Sequence, residues 1–211
     1  MSSGLQRIGG WAAILGGSLY LALSAIYFLS THGSGESPRN GTLFGLDATD
    51  YCRLEPIWPA LLVLGLVAFH GRQGRRVSRA GRWAFVAAAA ALATVALSWV
   101  LQCWVVDPDL HFDSLPVTGG FYLGALANLA IMASLVVYGF ATIRAMILPL
   151  PWVALPLAIG LLGAATGALE AFVLSGLSGP GPMRDVLFTA NRAPWGLGWI
   201  ALGYALSVAK V

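Results

Sequence analysis

The sequence predicts an all-α integral membrane protein, a single bundle of six transmembrane helices with both chain ends in the cytoplasm. Three observations support this fold class. The 211 residues are 58% hydrophobic and only 10% charged, whereas soluble domains have roughly 25% charged residues. Apolar runs close to the ~20 residues that cross a bilayer recur along the whole chain. The basic residues concentrate in one connector, which indicates the orientation.

Six apolar runs account for the chain and leave no separate soluble domain. Their approximate bounds are 10–30, 56–70, 82–106, 119–143, 152–176 and 194–209, of which the second and sixth are the shortest. The first run is long for a signal peptide, and no convincing cleavage site follows it, so we interpret it as the first helix. The Ala- and Gly-rich composition suggests a bacterial chain, which implies the inner (plasma) membrane.

Positive charge sets the orientation. Five arginines lie in the connector HGRQGRRVSRAGR between the second and third runs, namely Arg72, Arg75, Arg76, Arg79 and Arg82. Because short basic loops stay in the cytoplasm, we expect both chain ends and the connector with Arg144 to be cytoplasmic as well. Contact with anionic membrane lipid is the expected role of the cluster, and nucleic acid is not an expected partner.

The fifth run contains a carboxylate, in the stretch ATGALEAFVL. Glu170 lies roughly 9 Å from the outer end of its predicted helix, at about 1.5 Å per residue. It shares a face with Gly167, and small residues mark places where helices approach closely, so it should face protein. Asn128, Asn191 and Arg192 are its candidate partners. The carboxylate is either a functional group or half of a structural pair that locks the last two helices together.

All nine carboxylates fall on the outer side of the predicted midplane: Glu36, Asp47, Asp50, Glu55, Asp107, Asp109, Asp113, Glu170 and Asp185. Acidic residues contribute little to orientation, so a site open to the outer side would explain this bias. Glu55, before the second helix, is either a helix cap or a second carboxylate facing Glu170 across a cavity. Asp107 ends the third predicted helix at similar depth. Two carboxylates in one cavity push their pKa values apart, which leaves one as an acid.

Tryptophans lie at the same depth as these carboxylates. They are Trp58, Trp99, Trp104 and Trp195, with Trp199 one turn further along. One interpretation is an aromatic belt at the membrane interface, which needs no further function. The other is an aromatic wall around an apolar ligand, whose ring faces would stabilise a cation.

The histidines and cysteines do not form a compact metal-binding motif, which would need three or four ligands. The sequence also lacks a P-loop and a dinucleotide fingerprint, so we expect neither a metal nor a cofactor. Cys52 and Cys103 fall at the outer ends of adjacent antiparallel helices, in a compartment that is oxidising in bacteria. We therefore predict a Cys52–Cys103 disulfide; the alternative is two unpaired apolar residues.

The opening segment LQRIGGWAAILGGSLYL resembles the start of a family of uncharacterised bacterial six- or seven-helix membrane proteins. The segments EPIWPALLVLGLVAFHGR and PWGLGWIALGYAL fit the general style of that family. This resemblance implies a fold but no activity. In size, helix count and acid-plus-aromatic content the chain is also similar to small integral-membrane terpene cyclases, although no motif matches.

The leading functional hypothesis is an enzyme that cyclises or isomerises a lipophilic isoprenoid by protonating it in an outer-half cavity. Glu170 would be the acid, Glu55 or Asp107 would tune it or accept a proton, and Arg192 and Asn191 would orient it. The alternative is a non-enzymatic transporter, lipid-binding protein or accessory subunit with a membrane protein partner. Membrane lipid and a lipophilic small molecule are the expected ligands.

Overall fold

The computed structural model describes residues 3–32, 48–73, 76–105, 115–146, 148–169 and 182–208, and this part of the chain is helical with short turns. The helices are α1 (Ser3–His32), α2 (Ala48–Leu54), α3 (Ile57–Gln73), α4 (Arg79–Val100), α5 (Leu115–Ala145), α6 (Leu155–Leu169) and α7 (Pro182–Val208). A π-helical turn, Leu101–Val105, continues α4, and a 3-10 turn, Trp152–Ala154, precedes α6.

Five stretches of the described chain are long and apolar enough to cross a membrane. They are Gly4–Ile26, Asp50–Gln73, Arg79–Trp104, Gly119–Ala145 and Trp152–Leu169. The remaining long helix, α7, has 27 residues. Its first turns carry Arg184, Asp185 and Arg192, which lower its mean hydropathy.

The helix bounds differ from the predicted runs chiefly at two places. The second run is preceded by the separate short helix α2, because Pro56 interrupts the chain and disfavours helical backbone at the residue before it. The last helix begins well before the predicted apolar run 194–209, since α7 begins at Pro182 and continues through Pro194. Proline fits the first turn of a helix, which Pro182 occupies. The predicted residues 170–176 of the fifth run lie outside the described residues.

The helices pack in chain order, and the packing closes on itself. From α3 to α7 each helix packs against the next, while α1 packs against both α3 and α7. The interior is filled by large side chains that are almost wholly buried: Leu62, Leu66, Phe69, Leu92, Ile131, Leu135, Tyr138, Ile159, Trp199 and Leu202. Close packing of these side chains, which leaves few voids among them, fixes the helix positions.

Two glycine doublets, seven residues apart in GGWAAILGG, explain how α1 fits between its neighbours. The first glycine of each doublet faces α3. A Cβ on Gly16 would lie 2.8 Å from Leu62 Cδ2, and one on Gly9 would collide with Ala68. Glycine at these positions therefore brings the backbone of α1 close to α3.

The second glycine of each doublet faces α7, which has glycines at the same spacing. A Cβ on Gly203 would lie 2.5 Å from the carbonyl oxygen of Gly10, and one on Gly17 would lie 2.8 Å from that of Gly196. The two backbones thus meet at two points, where any larger residue would force them apart.

The two ends of the bundle differ in what holds them. The basic end carries Arg72, Arg76, Arg82 and Arg144. There the hydroxyl of Thr142 lies 2.9 Å from the carbonyl oxygens of both Gly139 and Val153, which ties α5 to the 3-10 turn. The disulfide end carries α2 and the π-helical turn, and Glu55, Trp58 and Trp104 of the predicted site residues lie there.

A second polar contact at the basic end joins α3 to α5. Nδ1 of His70 lies 3.1 Å from the hydroxyl of Tyr138. The His70 ring stacks on Phe85 of α4, with ring centroids 3.9 Å apart. The three side chains together connect α3, α4 and α5.

Candidate functional site at the disulfide end

Cys52 and Cys103 form a disulfide with their Cα atoms 5.5 Å apart, which is the pair that the sequence predicts. Cys52 lies in α2 and Cys103 in the π-helical turn. The bond fixes the short helix against the end of α4, and Glu55 follows Cys52 by less than one turn. The backbone N–H of Glu55 donates to the carbonyl oxygen of Cys52 over 3.1 Å, which closes the end of α2.

The carboxylate of Glu55 is bound by the next tryptophan along the chain. Nε1 of Trp58 donates a hydrogen bond to Oε2 of Glu55 over 2.7 Å. The turn at Pro56 brings the two side chains together, because it ends α2 and lets α3 begin at Ile57. The hydrogen bond fixes the direction of the carboxylate towards the aromatic rings.

Four rings from three helices form what we call the tryptophan cluster: Tyr20, Trp58, Trp195 and Trp199. The ring of Tyr20 lies 5.0 Å from both Trp58 and Trp195, and the rings of Trp58 and Trp195 are 5.7 Å apart. All meet edge to face, the arrangement that places the positive edge of one ring on the negative face of another. The three tryptophans are buried.

Two indole N–H groups of the tryptophan cluster are buried and have no hydrogen-bond partner among the described residues. They belong to Trp195 and Trp199. A Cβ on Gly163 of α6 would lie 3.0 Å from Nε1 of Trp195, so this N–H faces the backbone of α6. An unsatisfied buried donor is costly, and an oxygen atom of a ligand would satisfy it.

Arg192 lies one turn before Trp195 on α7 and is half-buried. Its charge attracts the carboxylate of Glu55. The sequence predicts Arg192 as one of three candidate partners of Glu170, which lies outside the described residues. With the attraction to Glu55, α7 contributes both a cation and two tryptophans to the surroundings of this carboxylate.

Trp104 lies in a different environment. It is 63% exposed and its Nε1 donates to the carbonyl oxygen of Arg53 over 3.3 Å. The guanidinium of Arg53 lies 5.8 Å from the centre of the Trp104 ring, within cation–π range. The side chain lines the Trp104 groove, of about 480 Å³, whose other walls are Asp50, Arg53, Leu54, Pro56, Ile57 and Val100.

The other predicted site residues are divided between described and undescribed parts of the chain. Trp99 is partly buried and packs against the core. Asn128 is half-buried on α5. Asp107, Glu170 and the side chain of Asn191 lie outside the described residues.

Tyr20 belongs to the cluster but not to the residues that the sequence singles out. The sequence feature that could have identified Tyr20 is its helical spacing from the second glycine doublet. Tyr20 follows Gly16 by four residues and Gly17 by three, so it lies on the same face of α1. A large ring one turn beyond a glycine doublet lies on the same packed face. Among the described residues there is no group of three or more His, Cys, Asp or Glu side chains able to hold a metal ion.

Comparison with protein-family models, with curated proteins and with solved structures finds no match to this chain. The resemblance of the N-terminal segment to uncharacterised bacterial membrane proteins therefore stays a prediction.

Proposed function

We propose that the chain crosses a bacterial plasma membrane six times, with both ends in the cytoplasm. Five apolar stretches support the first five crossings. The sixth is α7, which is long enough at 27 residues and packs between α1 and α6. The basic end would then face the cytoplasm, in line with the preference of short arginine-rich loops for that side.

Within this topology, the chain acts on a lipophilic isoprenoid-type molecule by acid-initiated isomerisation or cyclisation at the disulfide end. The observation that carries this proposal is the contact of the Glu55 carboxylate with the tryptophan cluster. Such a reaction needs an acid, a surface that stabilises a carbocation and a base. Ring faces suit the cation, and a fixed carboxylate beside them suits proton transfer.

The proposed reaction balances without a cofactor. An acid adds a proton to a carbon–carbon double bond, and a carbocation forms. Loss of a proton from a neighbouring carbon restores a double bond and gives an isomer. For a ring, the electron pair of a second double bond in the same molecule first attacks the cation and forms a carbon–carbon bond, and the new cation then loses the proton. Glu170 is the donor that the sequence predicts. Glu55 is the acceptor, because the N–H of Trp58 and the charge of Arg192 already hold it in one orientation.

Solvent deuterium would trace this proton. Purified protein in D₂O would be incubated with farnesol, geranylgeraniol or squalene, and products would be analysed by mass spectrometry. The expected product is an isomer of the probe in which one carbon-bound deuterium has been taken up from the solvent. Glu55→Gln keeps the shape but cannot accept the proton, so turnover should fall at least about 100-fold.

Asp50→Asn is the matched control, because Asp50 lies at the same end and its carboxylate is 3.9 Å from the guanidinium of Arg53. It should turn over like the parent protein. Full activity in Glu55→Gln would remove Glu55 from the mechanism. If no probe yields an isomer, the isoprenoid reaction is contradicted.

A second candidate is a non-enzymatic role as a lipid-binding protein, transporter or accessory subunit. It is favoured by the Trp104 groove, which opens on the exposed Trp104 and Ile57 side chains. In that case Glu55 and Trp58 are a structural pair. Glu55→Gln and Trp58→Phe would then lower stability non-additively in a double-mutant cycle, and no probe would be turned over.

A further inference from the structure

A groove of about 390 Å³ lies at the basic end, between the start of α4 and the last turns of α5. Arg76 and Ser78 line it from the connector before α4, and Arg144 lines it from α5. Both arginines are exposed. The guanidinium group offers a planar fork of donors that matches a phosphate, so two of them around one groove favour a phosphate ligand.

The rest of this arginine groove is apolar. Its wall is formed by Ala80, Val137, Phe140, Ala141 and Ala145. Val137 is 49% exposed and Phe140 is 53% exposed, so the wall continues onto the outer face of α5. That face belongs to the membrane-spanning stretch Gly119–Ala145, and Arg144 lies at its end. A ligand here meets cations at one end and hydrocarbon-like surface at the other.

The stretches of sequence around these cations contain no acidic side chain. Residues 1–35, 56–106, 114–169 and 186–211 contain neither Asp nor Glu. They do contain nine basic residues: Arg192 at the disulfide end and Arg7, Arg72, Arg75, Arg76, Arg79, Arg82, Arg144 and Lys210. The described carboxylate side chains, Asp50 and Glu55, lie at the disulfide end, so an anion from another molecule would balance the charge of Arg76 and Arg144.

We propose that the arginine groove binds an anionic phospholipid. Its phosphate lies between Arg76 and Arg144, the Ser78 hydroxyl donates to a headgroup oxygen, and an acyl chain runs along Val137 and Phe140. The charge of the groove, its apolar wall and its position at the end of a spanning stretch all fit a lipid better than free phosphate. This site is independent of the proposed reaction at the disulfide end.

Lipid titration of the purified protein in detergent tests this site. The probes are phosphatidylglycerol, phosphatidylcholine and inorganic phosphate, and the readout is bound lipid by native mass spectrometry. We expect phosphatidylglycerol to bind preferentially and Arg76→Gln/Arg144→Gln to weaken it about 25-fold, at about fivefold for each arginine near a membrane surface.

The matched control is Arg79→Gln/Arg82→Gln, which removes the same charge at the same end from residues that do not line the groove. It should change the affinity by less than about threefold, since exposed charges outside the site are largely screened. Equal weakening by both double variants would overturn the site in favour of unspecific attraction.

Phe140→Ala separates lipid from free phosphate. It should weaken phosphatidylglycerol severalfold and leave any binding of inorganic phosphate unchanged, because only a lipid contacts this wall. Competition by millimolar phosphate that abolishes lipid binding, together with no effect of Phe140→Ala, would overturn the lipid assignment.

Discussion

The two ends of the bundle are held together by different means. At the basic end the connectors are short: residues 74–78 join α3 to α4, and residues 146–151 join α5 to the 3-10 turn. At the disulfide end the described helices are separated by residues 33–47, 106–114 and 170–181, which lie outside the described residues. A crosslink between two helix ends contributes more where the stretch of chain between them is longer. The end with long connectors is also the end with the disulfide and the Glu55–Trp58 bond.

The ends also differ in how their charges are balanced. Glu55 at the disulfide end has Trp58 and Arg192 within the chain. Arg76 and Arg144 at the basic end have no acidic side chain in the neighbouring sequence. One end is thus organised around internal polar contacts, and the other is suited to an external anion. Substitutions at each end test whether the two ends differ in this way.

The largest loss of stability is expected for Cys52→Ala/Cys103→Ala, which removes the disulfide. The bond spans 51 residues in sequence, and the chain-entropy model gives about 4 kcal/mol for such a loop. Hydrogen exchange should rise around Trp104 and stay unchanged around His70. Equal loosening at both ends, measured on the same sample, would contradict the division between them. Reduction of the parent protein with a thiol is the control, since it should give the same pattern.

Gly203→Ala should lower the free energy of unfolding by about 1–3 kcal/mol, because overpacking forces the two backbones apart. The added Cβ would lie 2.5 Å from the carbonyl oxygen of Gly10. Gly4→Ala is the control near the same end, where nothing lies within 4 Å. Denaturant unfolding in detergent would compare the two variants. A near-neutral Gly203→Ala would mean that α1 and α7 are not in backbone contact.

Thr142→Val should lower the free energy of unfolding by about 1–2 kcal/mol, since it removes a buried hydroxyl and leaves the carbonyl of Val153 without that donor. The hydroxyl lies 2.9 Å from this carbonyl oxygen. Thr94→Val is the control, because its hydroxyl bonds only the carbonyl of Ala90 one turn earlier in α4 among the bonds described. Unfolding of both variants should show a clear loss only for Thr142→Val. Equal losses would remove the Thr142 link from what holds the basic end.

The smallest loss of stability is expected for Tyr138→Phe, which deletes the hydroxyl that lies 3.1 Å from Nδ1 of His70. A neutral hydrogen bond contributes about 0.5–1.5 kcal/mol. Trp58→Phe is its counterpart at the disulfide end and should cost more, about 1.5–3 kcal/mol, because its partner is a carboxylate. A larger loss for Tyr138→Phe than for Trp58→Phe would reverse the comparison of the two ends.

The position of a residue along its helix axis can be predicted from the sequence. Counting residues from the helix ends predicts that Cys52 and Cys103 lie at the same depth in the membrane, and in the structure the two form a disulfide. Such counting works because every helical residue adds a fixed rise of about 1.5 Å. The apolar runs also predict the helices, because the number of consecutive apolar residues needed to cross a membrane can be counted directly in the sequence.

Direction around the helix axes was harder to predict. Trp104 and Trp58 lie at similar predicted depth, yet Trp104 lines the exposed Trp104 groove and Trp58 lies in the tryptophan cluster. The π-helical turn Leu101–Val105 is one reason, because a π turn shifts every later side chain around the axis. The attraction between Arg192 and Glu55 depends on which helices are neighbours, and tertiary packing decides that.

The glycine doublets of α1 also bear on the order in which the bundle is built. In each doublet one glycine meets α3, which is synthesised soon after α1, and the other meets α7, which is synthesised after the other described helices. Gly9 and Gly16 can therefore be covered early, while Gly10 and Gly17 stay uncovered until α7 is made. We expect a chain that stops at Leu169 to keep the α1–α3 pairing and to self-associate through these two glycines, as cysteine crosslinking would detect. Once α7 is made it covers both glycines, so that the last described helix packs against the first.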